Sequence, residues 1–174
     1  MATFSTHMNF DKRINGKEFT LEALITSQTK KISNSFIDAT GAVRNTPLQK
    51  VINIKIGAKI MLTYNIDTCD SLTNGSFGEV LGLESARDGS ISRVIVQFYE
   101  EKCGREKRKK FSKYESQYPG KNPTPIERIE FHYTLSRKSS TGVKNASIFQ
   151  FPLKLAFAAT AHKVQGQTVK NRTV

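Results

Sequence analysis

The stretch VINIKIGAKIMLTYNI, residues 51–66, decides the fold, because its apolar residues recur at every second position. From Ile52 onward apolar and polar side chains alternate, and after Gly57 the alternation resumes as far as Leu62. A period of two is the spacing of a strand with one buried face. The stretch therefore predicts two β-strands, or one strand interrupted by a bulge at Gly57.

Turn signals and further alternating runs surround this stretch. The pairs Asn74-Gly75 and Asp88-Gly89 are typical of tight turns, and each precedes an alternating run, at residues 77–83 and 93–99. The alternation returns in IERIEFHYTL, residues 126–135. Short strands between turns predict a small β-barrel. Near the end of the chain we expect a strand over residues 148–155 and a short helix over residues 158–165, closed by Gly166.

Composition indicates a folded, basic protein. Among 174 residues, 27 Lys+Arg stand against 15 Asp+Glu, which gives a formal net charge of +12. This charge makes nucleic acid or an anionic membrane surface the first partner class to consider. An apolar content of 37% is too high for a disordered basic tail. The longest apolar runs reach about a quarter of the ~20 residues that a membrane span needs, so we expect no membrane association.

The densest positive charge lies in EEKCGREKRKKFSKYESQYPGKNPTP, residues 100–125. Seven basic residues fall between Lys102 and Lys113, with one acid among them, and three prolines follow. Charge runs of this kind are typical of solvated segments, so we predict a basic loop without a core face. Its alternative role is electrostatic contact with DNA, through Lys107, Arg108, Lys109 and Lys110.

Motifs for independent catalysis are missing. The sequence has no G-x-x-x-x-G-K-[ST] phosphate-binding loop, no nucleophile elbow and no H-E-x-x-H metal motif. Cys69 and Cys103 lie far apart without a C-x-x-C partner, so neither a disulfide framework nor a zinc site is predicted. We therefore expect no catalytic residue and no metal site in this chain.

The segment QFPLKLAFAATAHKVQGQTV, residues 150–169, is the best candidate for a binding site. Thr160, His162 and Lys163 cluster where the predicted strand meets the predicted helix. They can offer a hydroxyl, an imidazole and a cation to one phosphate, and the helix N-terminus adds backbone donors. The alternative is that the threonine and histidine satisfy backbone groups and that Lys163 is a solvated surface residue.

Two blocks carry a resemblance to a known family. PLKLAFAATAHKVQGQT, residues 152–168, resembles motif V of the Pif-type (petite integration frequency) 5′-to-3′ DNA helicases of superfamily one, including the copies in Helitron transposons. NTPLQKVINIKIGAKIMLTYNIDTCDSLTNGSFGEV, residues 45–80, resembles the segment upstream of that motif, in the same order. FSTHMNFDKRIN, residues 4–15, loosely resembles motif IV, with candidate matches at Thr6, His7 and Asn15.

The resemblance implies an α/β fold with an inserted β-barrel. Residues 1–46 would be the motif IV region of a partial RecA-like (P-loop NTPase type) second motor domain. Residues 47–147 would form an inserted Src-homology-like barrel that carries the basic loop at 100–125. Residues 148–174 would return to a truncated RecA-like domain with the strand and helix of motif V.

The resemblance also implies a function, that of an ATP-dependent DNA helicase that acts in DNA repair, recombination or telomere maintenance. Its partners would be single-stranded or forked DNA, and its cofactors ATP and Mg²⁺, bound mostly outside this chain. Three residues would contact single-stranded DNA, and three would lie near the nucleotide: Thr160, His162 and Lys163, and Gln165, Gly166 and Gln167, respectively.

The chain would then be a fragment of the parent helicase. An N-terminal motor domain with the Walker motifs would precede it, and motif VI with its arginine finger would follow Val174. We expect such a fragment to be inactive alone and monomeric, in the nucleus or, alternatively, the mitochondrion. Two other readings stay open: a non-enzymatic basic β-barrel that binds single-stranded nucleic acid, and a decayed transposon-derived remnant.

Overall fold

The computed structural model of the chain describes residues 18–27, 43, 46–135 and 144–156. Within these ranges the chain forms ten strands and two short helices: β1 (Glu18–Glu22), β2 (Leu24–Ser27), β3 (Val51–Lys55), β4 (Lys59–Leu62), β5 (Phe77–Ser85), β6 (Ile91–Phe98), α1 (Arg105–Lys110), α2 (Lys113–Gln117), β7 (Pro123–Ile126), β8 (Ile129–Leu135), β9 (Lys144–Gln150) and β10 (Leu153–Leu155).

The alternating stretch at residues 51–66 forms two strands, which confirms the first of its two alternatives. β3 and β4 are separated by a turn in which Gly57 has a φ of 82°, a left-handed conformation that glycine adopts without a steric penalty. The two strands enter different sheets, because β3 pairs antiparallel with β1 whereas β4 pairs with β5 and β10. One sequence pattern thus supplies strands to two sheets.

The larger sheet has five strands in the order β10-β4-β5-β6-β7, and all neighbours are antiparallel. The predicted turns lie where the sequence placed them, one between β4 and β5 and one between β5 and β6. At the first of them, Gly75 has a φ of 95° and donates its N–H to the carbonyl of Leu62. The ladder between β5 and β6 shifts register between Val80 and Gly82, which indicates a β-bulge.

The remaining strands form a two-stranded sheet, β1-β3, and a three-stranded sheet, β2-β9-β8. Two predicted strands are each divided between sheets. In the run over residues 126–135, only Ile126 lies in β7 of the five-stranded sheet, whereas residues 129–135 form β8 in the three-stranded one. The strand predicted over residues 148–155 is broken at Phe151 and Pro152, because the chain there passes from β9 in the three-stranded sheet to β10 in the five-stranded sheet.

The segment at 100–125 corrects the prediction of a solvated loop without a core face. It contains α1, α2 and β7, and it buries Cys103, Arg108 and Tyr114. Two of the three prolines, Pro123 and Pro125, lie in β7 and are opposite residues of β6. β7 is an edge strand, where the missing N–H of proline is tolerated.

An apolar core joins the two- and five-stranded sheets. Its buried members come from both sheets and from the segments between strands, which contribute Leu72, Cys103 and Phe151. On β5 every second residue is buried, and this inward row consists of Gly78, Val80, Gly82 and Glu84. A row with two glycines and a carboxylate leaves room for side chains from α2 and from the residues after it.

The described part of the chain is mostly antiparallel β-structure with few helices. A RecA-like α/β framework and a closed Src-homology-like barrel therefore stay predictions, as do the domain boundaries at residues 46 and 147. The helix predicted over residues 158–165, with Gly166 as its cap, lies outside the described residues. Within the described ranges no helix has the length and apolarity needed to cross a membrane.

Candidate nucleic-acid interface

The motif V residues that are predicted to contact single-stranded DNA or to lie near the nucleotide are all outside the described ranges: Thr160, His162, Lys163, Gln165, Gly166 and Gln167. The same is true of Thr6, His7 and Asn15. The structure does describe β10, which lies at the start of the block that resembles motif V, residues 152–168. It pairs with β4 through Leu153 opposite Leu62 and Leu155 opposite Ile60, and the N–H of Ala156 donates to the carbonyl of Lys59. The five-stranded sheet thus anchors the first residues of the motif V block.

The basic segment becomes helical because a distant carboxylate caps it. The Oδ1 and Oδ2 atoms of Asp70 accept hydrogen bonds from the backbone N–H groups of Glu106 at 2.8 Å and Lys107 at 2.9 Å. The Asp70 carbonyl also accepts the N–H of Gly104. A carboxylate at a helix start satisfies backbone donors that would otherwise lack partners, and it complements the helix dipole. Asp70 is buried, so this cap is shielded from solvent.

Arg108, predicted as a DNA contact, is buried and faces the protein interior. Its guanidinium donates to the carbonyls of Cys103 and Glu101, both at 2.6 Å, and to Oγ1 of Thr124 at 3.2 Å. Only 8% of the residue is exposed. The planar fork of arginine can reach several carbonyl acceptors at once, which explains why this cation lies in the core. The structure therefore contradicts a role for Arg108 as a surface DNA contact.

The other three predicted cations of α1 differ in exposure. The Lys107 ammonium lies 3.5 Å from Oε2 of Glu127, and its side chain is 18% exposed. Lys109 is 62% exposed and pairs with Glu106 at 2.7 Å. Lys110 is exposed. Two of the four predicted cations, Lys109 and Lys110, therefore face solvent.

A buried carboxylate on β5 attaches α2 to the sheet. Glu84 accepts hydrogen bonds from the guanidinium of Arg93, the ammonium of Lys113 and the hydroxyl of Tyr114. Burial raises the pKa of Glu84, but these three donors outweigh it and hold the pKa below its usual range. Burial and the neighbouring carboxylate raise the pKa of Tyr114 well above its usual range, so its hydroxyl stays a donor at neutral pH.

Arg93 extends this network to a second carboxylate. Its guanidinium lies 3.0 Å from Glu84 and 2.8 Å from Glu127, and it stacks over the ring of Phe111 at 5.2 Å. Glu127 in turn pairs with Lys107 on α1. Burial raises the pKa of Glu127, but Arg93 and Lys107 lower it by more, so the pKa lies below its usual value. The charges around α1 and α2 thus hold both helices against β5, β6 and the link after β7.

A second polar junction, which the sequence did not signal, links β9 of the three-stranded sheet to β1 of the two-stranded sheet and to the residues before β3. Gln150 is fully buried, and its Nε2 donates to the carbonyls of Leu21, Gln49 and Lys50 at 3.0–3.2 Å. Its Oε1 accepts from the backbone N–H of Phe151 and from Arg128. The sequence does not indicate that Gln150 forms these hydrogen bonds, because most of its partners are remote in sequence.

The two thiols have different environments. Cys103 is buried, donates its thiol to the carbonyl of Ser71, and has a pKa raised by burial to about 11. Cys69 is exposed. No group of three or more His, Cys, Asp or Glu residues within the described ranges is arranged to hold a metal ion.

Comparison with known proteins gives matches to helicases. No protein-family profile matches the chain. Over 124 residues it is 31% identical to the ATP-dependent DNA helicase PIF1 of Danio rerio, which covers 71% of this chain and 15% of that protein. Over 205 aligned positions it is 27% identical to uncharacterized protein 030L of Invertebrate iridescent virus 6, which covers 96% of this chain and 36% of that protein.

A solved structure shares the fold. The crystal structure of Pif1 helicase from Candida albicans matches with a TM-score of 0.53 and 22% identity, over 90% of this chain and 33% of that one. The chain therefore has the fold of part of a DNA helicase. Together with the sequence matches, this confirms the resemblance read from the motifs: the chain is related to the Pif1-type helicases and corresponds to a segment of them.

Proposed function

We propose that this chain is the part of the second motor domain of an ATP-dependent 5′-to-3′ DNA helicase that binds single-stranded DNA. The observation that carries the proposal is the 31% identity to an ATP-dependent DNA helicase over 71% of the chain. The order of the two motif blocks, residues 45–80 and 152–168, supports it. The finer parts of the proposal are a RecA-like framework around an inserted barrel, and a role in DNA repair, recombination or telomere maintenance.

In this proposal single-stranded DNA binds at Thr160, His162 and Lys163, next to β10. The described structure contributes a rigid support, because β10 is paired along β4 and the Gln150 junction ties the strand before it to two other segments. A support of this kind can hold the DNA-contacting residues of motif V in place while the motor domains close and reopen during translocation. Forked DNA would be the working substrate, and the nucleus, or alternatively the mitochondrion, the site of action.

ATP and Mg²⁺ would be bound elsewhere in the parent protein. The described residues offer neither a phosphate-binding loop nor a cluster of metal ligands, so they do not fit a nucleotide. Gln165, Gly166 and Gln167 would approach the nucleotide only when a motor domain carrying the Walker motifs is present. We propose that such a domain is the essential partner of this chain, and that the chain alone is monomeric and does not hydrolyse ATP.

Binding to a labelled single strand tests the proposal. We expect fluorescence anisotropy with a fluorescein-labelled 20-nucleotide strand to show binding by the 174-residue chain, and the double variant Thr160→Ala/His162→Ala to lose most of it. The double variant Thr68→Ala/His132→Ala, at exposed positions of the loop after β4 and of β8, is the matched control and is expected to bind normally.

Two results of this experiment would contradict the helicase proposal. Binding that survives Thr160→Ala/His162→Ala and falls only when Lys109 and Lys110 are neutralised would favour a non-enzymatic basic binding module, which the net charge of +12 also suits. A chain that is unfolded by circular dichroism would favour a decayed remnant.

A further inference from the structure

Helix α1 exposes three cations to solvent. Its exposed residues are Arg105, Glu106, Lys109 and Lys110, so three cations accompany one acid. The ion pair between Lys109 and Glu106 joins side chains that are 62% and 61% exposed. Exposed pairs of this kind are weak, so the ammonium of Lys109 can exchange its partner for a phosphate. Arg105, Lys109 and Lys110 are called the α1 face below.

The α1 face is held in a fixed orientation. Asp70 caps the first turn of the helix, and the guanidinium of Arg108 fastens the opposite side to two carbonyls and to Thr124 of β7. Gly104 fits closely before the helix, because a Cβ at that position would lie 2.5 Å from Cγ2 of Thr124. Cations on a rigid helix lose less conformational freedom when they bind several phosphates together.

The two aromatic residues that follow α1 in the chain make contacts within the protein. Tyr114 is fully buried and donates its hydroxyl to Glu84, and Phe111 is half-buried, with the guanidinium of Arg93 over its ring at 5.2 Å. Proteins that bind single strands use exposed aromatic rings on which bases stack. The α1 face offers cations without such a platform, so it can recognise a phosphate backbone but not unstacked bases.

We propose that the α1 face binds the sugar-phosphate backbone of double-stranded DNA without reading its sequence. Duplex DNA carries about one negative charge per 1.7 Å of axis, so it gives three cations on one short helix more phosphates within reach than a flexible single strand does. The inference deepens the proposed function, on which it rests. At a DNA fork, the motif V residues would bind the single-stranded DNA, and the α1 face would bind the double-stranded DNA.

The salt dependence of duplex binding tests this inference. The 174-residue chain is titrated against a fluorescein-labelled 20-base-pair duplex, and separately against one strand of it, between 50 and 200 mM salt. The test variant is Arg105→Gln/Lys109→Gln/Lys110→Gln. The control is Lys50→Gln/Lys55→Gln/Lys59→Gln, which removes the same charge from other exposed positions. Thermal melting verifies that both variants remain folded.

We expect the slope of log K against log salt for the duplex to become shallower by about 2.7 in the test variant, from roughly 0.9 per lost phosphate contact. The control variant is expected to keep the wild-type duplex slope. Lys110→Glu alone should make the duplex slope shallower by about 1 or more. This single variant is an independent test, because it changes one exposed residue only. Single-strand binding should change little in each case.

Three outcomes would overturn the inference: no duplex binding by the wild-type chain at 50 mM salt, equal slopes in the test and control variants, or a loss for the single strand as large as that for the duplex. The last would assign the α1 face to single-stranded DNA instead. Failure of the proposed function is seen separately, because Thr160→Ala/His162→Ala affects the single-strand titration and leaves the α1 face intact.

Discussion

Replacing Arg108 by glutamine is expected to destabilise the chain strongly, whereas the same replacement at Lys110, two residues along the same helix, is expected to have little effect. Both changes remove one positive charge from α1. Only Arg108 is buried, and only its guanidinium holds the carbonyls of Glu101 and Cys103. The pair of variants therefore separates a structural cation from a solvated one.

The size of the effect follows from the contacts of Arg108. Three hydrogen bonds are at stake, and a hydrogen bond to a charged group contributes about 1.5–3 kcal/mol. Glutamine is shorter and can replace at most part of this set, and carbonyls left buried without a donor add a desolvation penalty. Allowing for non-additivity, we expect a loss of about 3 kcal/mol in the free energy of unfolding, within the range of large single-site effects. For a chain of this size that lowers the melting temperature by roughly 6–12 °C.

The assay is urea and thermal unfolding followed by circular dichroism, with hydrogen exchange to locate the change. Lys110→Gln should stay within about 0.5 kcal/mol of the wild type, as surface substitutions usually do. Arg108→Gln should also accelerate exchange of the α1 amides before the core strands open. The reasoning is refuted if the two variants unfold at the same urea concentration, because the segment would then behave as the solvated basic loop that its composition suggested.

Three more predictions follow from single contacts. Glu84→Gln should cost about 1–3 kcal/mol at pH 7 by weakening a buried charged network. Because the folded pKa of Glu84 lies below its unfolded value near 4.5, its contribution is present above that pH and lost as the pH falls through the folded pKa; the wild type should lose more stability between pH 7 and 3 than the variant in parallel urea titrations. Gly82→Ala should destabilise, because its methyl group would collide with the hydroxyl of Tyr118, and Tyr118→Phe should recover part of the loss in a double-mutant cycle; simple additivity of the two changes would count against this contact. A thiol reagent at pH 8 should modify Cys69 rapidly and Cys103 only after unfolding, since burial raises the pKa of Cys103 to about 11; rapid modification of two thiols in the folded chain would contradict this.

Local patterns predicted much of the β-structure. The alternation at residues 51–66 gave β3 and β4, and the pairs ending in Gly75 and Gly89 gave turns with positive φ. These predictions succeeded because strand periodicity and turn conformation depend on residues within a few positions of each other. The resemblance to Pif1-type helicases could be read for the same reason, since its motif blocks are continuous stretches of sequence.

Local patterns failed where a segment's environment depended on distant residues. The composition of residues 100–125 suggested a solvated loop, but Asp70 caps α1 from 36 positions before Glu106, and Glu84 receives the hydroxyl of Tyr114 from 30 positions away. Pro123 and Pro125 lie in β7 at a sheet edge, which only the strand order reveals.

The sequence by itself determined the strand periodicity, the turns, the net charge of +12 and the helicase resemblance, because each is written in neighbouring residues or in composition. The tertiary structure decided which cations of the basic run face solvent. Arg108 and Lys110 are both cations in one helix, and their different roles come from which side of α1 meets β7. It also decided that Gln150 of the three-stranded sheet is linked to the two-stranded sheet, with its partner Leu21 129 positions away, because a buried amide takes its hydrogen bonds from whichever backbone groups the fold brings to it.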